Sequence, residues 1–138
     1  MKVSTKGRYA LRVMLDLAQH KDQGFVSLKE IADRQKISMK YLETIVGILN
    51  RAGYVQSLRG KSGGYKLTRE TEGYTIGSIL KLTEGNMAPV TCIENGEPIC
   101  EHAQECITLP LWRGLDKVID EYLENITLAD LLEQKILT

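Results

Sequence analysis

The sequence predicts a mainly α-helical fold with one small β-hairpin, and three observations predict it. Apolar residues recur at helical spacing in several separate segments. Ser or Thr stands where these segments begin, supplying the side-chain acceptor that the first N–H groups of a helix need. Between residues 54 and 68, two short β-type runs flank a basic, glycine-rich tip.

A first helix runs from about Thr5 to Gln19, where Leu11, Met14, Leu15 and Ala18, joined by Tyr9, Val13 and Leu17, keep the helical spacing. Ser4 or Thr5 is its N-cap. After the break at Gly24, Ser27-Leu28-Lys29-Glu30 has the spacing of a capping box, and a short second helix follows to about Gln35. Gln35-Lys36-Ile37 makes a turn and Ser38 caps a third helix. Leu42, Ile45, Val46 and Leu49 are its apolar stripe, and Gly53 ends it. Two short helices joined by a tight turn, the second opening at a serine, are the signature of a helix-turn-helix.

Tyr54-Val55-Gln56-Ser57-Leu58 and Gly64-Tyr65-Lys66-Leu67-Thr68 read as strands around Arg59-Gly60-Lys61-Ser62-Gly63-Gly64. Glycines let the tip turn with positive φ and approach a groove closely, while Arg59 and Lys61 bring charge. The hairpin is the wing of a winged helix-turn-helix. It is not a phosphate-binding P-loop, since the G-x-x-x-x-G-K-[ST] order and the following helix are both missing.

Thr75 caps a short helix with Ile76, Ile79, Leu80 and Leu82 apolar. From Glu84 to Thr108 the pattern is irregular and holds Pro89, Pro98 and all three cysteines. Structureless connections of that length tend to be functional or disordered, and the sensing chemistry is expected there. Pro110 suits the N1 position of a long helix with Leu111, Leu115, Val118, Ile119, Tyr122 and Ile126 on one face. A helix of about 17 residues spans ~25 Å, and its stripe is expected to pack on the same helix of a second subunit. Thr127 caps a last short helix to about Lys135.

The 138 residues allow one compact domain and exclude a large multi-domain enzyme. Hydrophobic residues at 43% and charged residues at 26% are enough to bury a core without disulfides. No secretory h-region or membrane-length apolar run is visible, so the expectation is a cytoplasmic protein with no membrane partner. The formal net charge of zero hides a segregation: residues 1–75 hold 14 Lys and Arg against 7 Asp and Glu, whereas residues 76–138 hold 4 against 11. A half carrying +7 attracts a polyanion, of which nucleic acid is the commonest. Catalysis finds little support: His20 and His102 are the only histidines and no nucleophile constellation is recognisable.

K-V-S-T-K-G-R-Y-A-L-R near the start, S-M-K-Y-L-E at the third helix and R-G-K-S-G-G-Y-K-L at the hairpin resemble the Rrf-two family of bacterial winged-helix regulators over nearly the whole chain. The resemblance implies a winged helix-turn-helix plus a long C-terminal dimerisation helix, in a homodimer on a pseudo-palindromic operator in double-stranded DNA. Residues 1–83 would be the DNA-binding domain, 84–108 a cysteine-bearing sensor loop, and 109–138 the dimerisation and C-terminal helices. It assigns Ser38, Tyr41 and Glu43 to the major groove, and Arg59 with the wing glycines Gly60, Gly63 and Gly64 to the minor groove or backbone. Side-chain chemistry agrees, since hydroxyls reach phosphates or base edges, Glu accepts from cytosine N4, and Arg suits a narrow minor groove. Lys40 and Lys61 suit salt-sensitive phosphate contacts.

Cys92, Cys100 and Cys106 are spaced C-x7-C-x5-C, which is neither a zinc-ribbon nor a ferredoxin pattern. Three cysteines in this loop resemble the family's cluster-binding, IscR-like branch and imply a 2Fe-2S cluster. The two gaps are equal in that branch and unequal here, and Leu109 stands where its histidine ligand would fall. His102 is then a candidate fourth ligand, with Glu101 and Glu105 as alternatives. Without metal, the neighbouring carboxylates are expected to raise the cysteine pKa values.

The function expected is a DNA-binding repressor responding to iron-sulfur cluster status. The alternative is a cluster-free, CymR-like regulator of cysteine or sulfur metabolism, controlled by a protein partner or by thiol oxidation. An electron carrier or cluster scaffold would leave the basic wing unexplained.

Overall fold

Each Ser or Thr expected to cap a helix does so through its side-chain oxygen: Ser4 accepts from Gly7 N, Ser27 from Glu30 N, Ser38 from Tyr41 N, Thr75 from Ser78 N and Thr127 from Asp130 N. The structure, a computed structural model, describes residues 3–93, 105–134 and 136. Their helices and strands are α1 (Thr5–Gln19), α2 (Leu28–Gln35), α3 (Met39–Arg51), β1 (Val55–Leu58), β2 (Gly64–Leu67), α4 (Ile76–Glu84), α5 (Leu109–Glu124) and α6 (Leu128–Leu132). Single 3-10 turns at Lys21–Gln23, Thr71–Gly73 and Thr91–Ile93 lie between them.

Helix α1 is the centre of the core. Ala10, Val13, Met14 and Leu17 are buried against Ile31 of α2, Leu42, Ile45 and Leu49 of α3, Ile79 of α4 and Leu128 of α6. The expected residues Tyr9, Leu11 and Leu15 pack at its edge, so the buried face is turned slightly from the one the apolar spacing suggests. Asp16, a charged residue, is buried on this helix too.

Strands β1 and β2 pair antiparallel, with Val55 opposite Leu67 and Leu58 opposite Gly64. Val26, just before α2, adds a third edge: its N–H and C=O exchange hydrogen bonds with Tyr65 at 2.8 Å each. Gly64 permits this approach. It sits at φ +149°, and a Cβ there would lie 2.2 Å from the Val26 carbonyl oxygen. The base of the wing hangs on Tyr74, whose buried hydroxyl donates to Tyr54 O at 2.7 Å and accepts from Thr68 N and Arg69 N.

Helix α5 begins at Leu109, one residue before the expected start, and ends at Glu124, because Asn125 and Ile126 turn the chain back. Ile126 O accepts from Ile76 N at 2.8 Å and Tyr74 O from Leu128 N at 2.9 Å, which returns α6 to the α1 core. Ile76, Leu80 and Met87 form a second cluster with Ile119, Leu123 and Ile126. The apolar stripe expected of the long helix is therefore divided: Ile119 of α5 and Ile126 just after it face α4, whereas Leu111, Leu115, Val118 and Tyr122 are exposed.

Candidate nucleic-acid interface and sensor cysteines

Helix α3 is anchored by its buried side, Leu42, Ile45, Val46 and Leu49, and presents Lys40, Glu43 and Thr44 to solvent. Ser38 is exposed and its oxygen serves the helix as N-cap, 3.2 Å from Tyr41 N. Tyr41 is half-buried, its ring meeting that of Tyr9 edge-on at 5.7 Å. The Arg12 guanidinium lies 4.9 Å from the centre of the Tyr9 ring and donates to Gln35 Oε1 and to the Gln35 carbonyl.

The angle between α2 and α1 is held by a polar clamp that the apolar pattern did not disclose. Arg34 donates two hydrogen bonds to the buried Asp16 carboxylate, and Gln35 Nε2 adds a third at 2.9 Å. Burial works to raise the Asp16 pKa, but these hydrogen bonds and the charges of Arg34 and His20 outweigh it and hold the carboxyl below its ordinary value. The clue available in the sequence is spacing: Asp16 falls three residues after Val13, on the face that α1 buries. Lys36 then adopts a left-handed conformation, φ 57°, that turns the chain from α2 towards α3.

At the wing, Arg59, Gly60 and Lys61 are exposed, and Gly60 takes φ +107°. Gly63 is needed for closeness: a Cβ there would lie 2.0 Å from the Leu58 carbonyl oxygen. A groove of about 440 Å³ runs between the wing and the start of α2, lined by residues that include Ser27, Asn50, Leu58, Arg59 and Tyr65. A protruding helix beside a narrow basic hairpin suits a duplex, whose major groove admits a helix and whose phosphates attract the lysines and arginines.

Helices α4 and α5 are joined by charge. Lys81 Nζ stands 2.6 Å from Asp120 Oδ1 and 3.2 Å from Glu124 Oε1, and Glu124 Oε2 accepts from the Thr75 hydroxyl at 3.0 Å. The hydrogen bond to Asp120, ahead of that to Glu124, raises the Lys81 pKa despite some burial.

Of the expected metal ligands, Cys92 lies in the Thr91–Ile93 turn and Cys106 just before α5. Both are half-buried and neither is in a disulfide. Cys100 and His102 lie outside the described residues, as does Glu101, while Glu105 is exposed. Among the described residues no three His, Cys, Asp or Glu side chains converge as a metal site. Cys106 corrects one expectation. Its Sγ lies 3.3 Å from Thr108 Oγ1, and this hydrogen bond, with the N–H groups of Thr108 and Leu109, lowers the thiol pKa rather than raising it.

A profile described as "Rrf2: Iron-dependent Transcriptional regulator" matches residues 3–134. The chain is 40% identical to Protein rrf2 of Nitratidesulfovibrio vulgaris over 132 residues, 96% of this chain and 87% of that protein. Among solved structures, T. potens IscR superposes with a TM-score of 0.77 at 40% identity, covering 99% of this chain and 89% of that one. CymR of B. subtilis, described as a global cysteine regulator, superposes with a TM-score of 0.79 at 39% identity, covering 97% and 98%.

Proposed function

Since the chain belongs to the Rrf2 family, whose members are transcriptional regulators rather than enzymes, we propose that it is a homodimeric repressor that binds a pseudo-palindromic operator and answers to an iron-sulfur cluster. One observation carries the DNA reading: the exposed face of α3 and the tip of the wing, which follows it directly in the chain, both carry exposed basic side chains, Lys40, Arg59 and Lys61. Ser38, Tyr41 and Glu43 would meet the major groove, and Arg59 with Gly60, Gly63 and Gly64 the minor groove or backbone. Lys40 and Lys61 would neutralise phosphates. Residues 1–83 form the DNA-binding unit in this reading, 84–108 the sensor loop and 109–138 the dimerisation region.

The dimer is supported by the exposed stripe Leu111, Leu115, Val118 and Tyr122, a row longer than a solvated helix face needs. Gly114 lies within that row, and an added Cβ there would meet nothing within 4 Å, leaving room for a second helix to approach. A two-fold dimer matches operator palindromy. Among the described residues no helix is long and apolar enough to cross a membrane; a cytoplasmic site of action goes with the DNA reading.

The described cysteines suit a thiolate-bound group, being partly accessible, unpaired by disulfide and, at Cys106, drawn towards the thiolate. Cys92, Cys100 and Cys106 would hold the 2Fe-2S cluster, with His102 as fourth ligand, or Glu101 or Glu105 in its place. When bound, the cluster supplies an iron–thiolate unit sensitive to oxidation and iron supply. The chain's own part is coupling: Lys81 ties the helix leading into the sensor loop to Asp120 and Glu124 of α5. A change in loop geometry would thereby reach the spacing of two recognition helices.

A second reading is favoured by the likeness to the B. subtilis cysteine regulator and by the unequal cysteine gaps. In it the chain carries no cluster, and a protein partner or thiol oxidation sets DNA affinity. The deciding experiment is the visible absorption spectrum of protein purified without oxygen, with iron and acid-labile sulfide per chain, for wild type and Cys92→Ala, Cys100→Ala and Cys106→Ala. Charge-transfer bands with about two iron and two sulfide per chain, lost in each variant, support the sensor. Colourless protein that resists reconstitution supports the second reading.

A further inference from the structure

The described helices contain four glycines: Gly7 in α1, Gly47 in α3, Gly77 in α4 and Gly114 in α5. A glycine within a helix destabilises it relative to alanine, so each position asks for a reason. Gly7 and Gly77 have one inside the chain, since a Cβ would lie 2.4 Å from Glu84 Oε1 at the first and 2.3 Å from Glu124 Oε1 at the second. Gly47 has none. Its backbone is right-handed, and an added Cβ would meet only Arg51 Nη1, at 3.5 Å, an ordinary contact.

Position decides what the reason is. At about 100° per residue, Gly47 falls in the middle of the α3 face that carries Lys40, Glu43, Thr44 and Arg51, opposite the buried Leu42, Ile45 and Leu49. Arg51 is exposed and has no ion-pair partner among the described residues. Its guanidinium lies beside the half-buried Gly47 backbone, Nη1 3.5 Å from where a Cβ would stand, and among the described residues no other side chain, its two chain neighbours aside, comes within 4 Å of that point. A helix with its side chains is ~10–12 Å across and the major groove ~12 Å wide. With so little room to spare, a glycine on the leading face lets the helix backbone come closer to the groove while the side chains around it reach the bases and phosphates.

We propose that Gly47 is the clearance point of the recognition helix, where the α3 backbone comes into van der Waals contact with double-stranded DNA, and that Arg51 beside it donates to the same duplex. This rests on the reading of α3 as the recognition helix and adds two residues to it. Substituting alanine then has opposite effects on the two states. The helix gains propensity, and the interface gains a methyl group with nowhere to go.

The test uses full-length protein and duplexes that the wild type enriches from a randomised double-stranded library. Affinity by anisotropy, its salt dependence and the thermal midpoint are measured for G47A, G47L, R51A, K40A and E43A. For G47A we expect affinity to fall about tenfold, the magnitude of a small overpacking. The melting midpoint of the same variant should rise by about 3 °C. G47L should lose over ~100-fold by the same crowding, and R51A should shallow the log–log salt slope by about one. If K40A and E43A weaken binding while both Gly47 variants bind like wild type, the clearance role is overturned and the recognition helix stands. If no α3 variant changes affinity, or the wild type enriches no sequence, the recognition-helix reading fails and this inference with it. Should G47L not melt cooperatively, G47A alone decides.

Discussion

The guanidinium of Arg34 grips the buried carboxylate of Asp16 through two parallel hydrogen bonds, Nε to Oδ2 at 3.0 Å and Nη2 to Oδ1 at 2.8 Å. Helix α2 is thereby fixed to α1 by a charge pair, and the turn that launches α3 starts from that fixed point.

Asp16→Asn keeps the shape and removes the charge. It is expected to destabilise the protein by roughly 2 kcal/mol at neutral pH, less than for a fully enclosed pair because Arg34 still reaches water. The folded pKa of Asp16 is depressed, so its contribution is complete above the ordinary carboxylate value and disappears as pH falls through the lower folded one. Urea denaturation of both proteins across the acid range checks this. A stability gap that stays constant with acidification would show that the charge contributes nothing.

Gly64→Ala forces a Cβ to within 2.2 Å of the Val26 carbonyl oxygen at φ +149°. The Val26–Tyr65 pair should open, with a loss of about 2 kcal/mol from crowding and backbone strain. Hydrogen exchange reports it directly, as lost protection at the Val26 and Tyr65 amides; unchanged protection would mean that the wing shifts without parting from the segment before α2.

The two exposed basic residues of the wing should separate by their salt behaviour. Lys61→Ala is expected to weaken binding about equally on all sequences and to reduce the log–log salt slope by about one, as a phosphate contact does. Arg59→Ala should weaken the enriched duplex more than a scrambled one, as expected for a side chain in the minor groove. Equal losses on both duplexes would reassign Arg59 to the backbone.

Leu115→Asp places a charge in the middle of the exposed α5 stripe, at a residue that belongs to neither core cluster. We expect the protein to sediment as a folded monomer, with the dimer weakened at least ~100-fold by a buried unpaired carboxylate. An unchanged dimer would place the interface elsewhere.

Helix beginnings were legible because capping is local chemistry: Ser27 and Glu30 lie within one turn of the N–H groups they satisfy. The wing was legible for a similar reason, since its glycines and strand residues are neighbours in sequence. The Asp16–Arg34 pair joins residues eighteen apart; the spacing from Val13 puts Asp16 on the buried face of α1, but nothing in it names Arg34 as the partner. At Cys106 the charge of nearby carboxylates suggested a raised pKa. The start of α5 instead brings the Thr108 hydroxyl and the N–H groups of Thr108 and Leu109 to the sulfur, and these hydrogen bonds outweigh the effect of burial.

What can be read from residue order is whatever depends on near neighbours in the chain, the caps, the glycine-bearing hairpin and the helix-turn-helix, together with what composition alone carries, the basic and acidic halves. What had to await the packed chain is whatever depends on surfaces meeting. Leu128 returns to the α1 core across more than a hundred residues, and the apolar face of α5 divides, Ile119 turning inward against α4 while Leu111, Leu115, Val118 and Tyr122 stay outside. Spacing marks those α5 residues alike as one apolar stripe. Only the finite area of α4 determines how many of them one chain can cover.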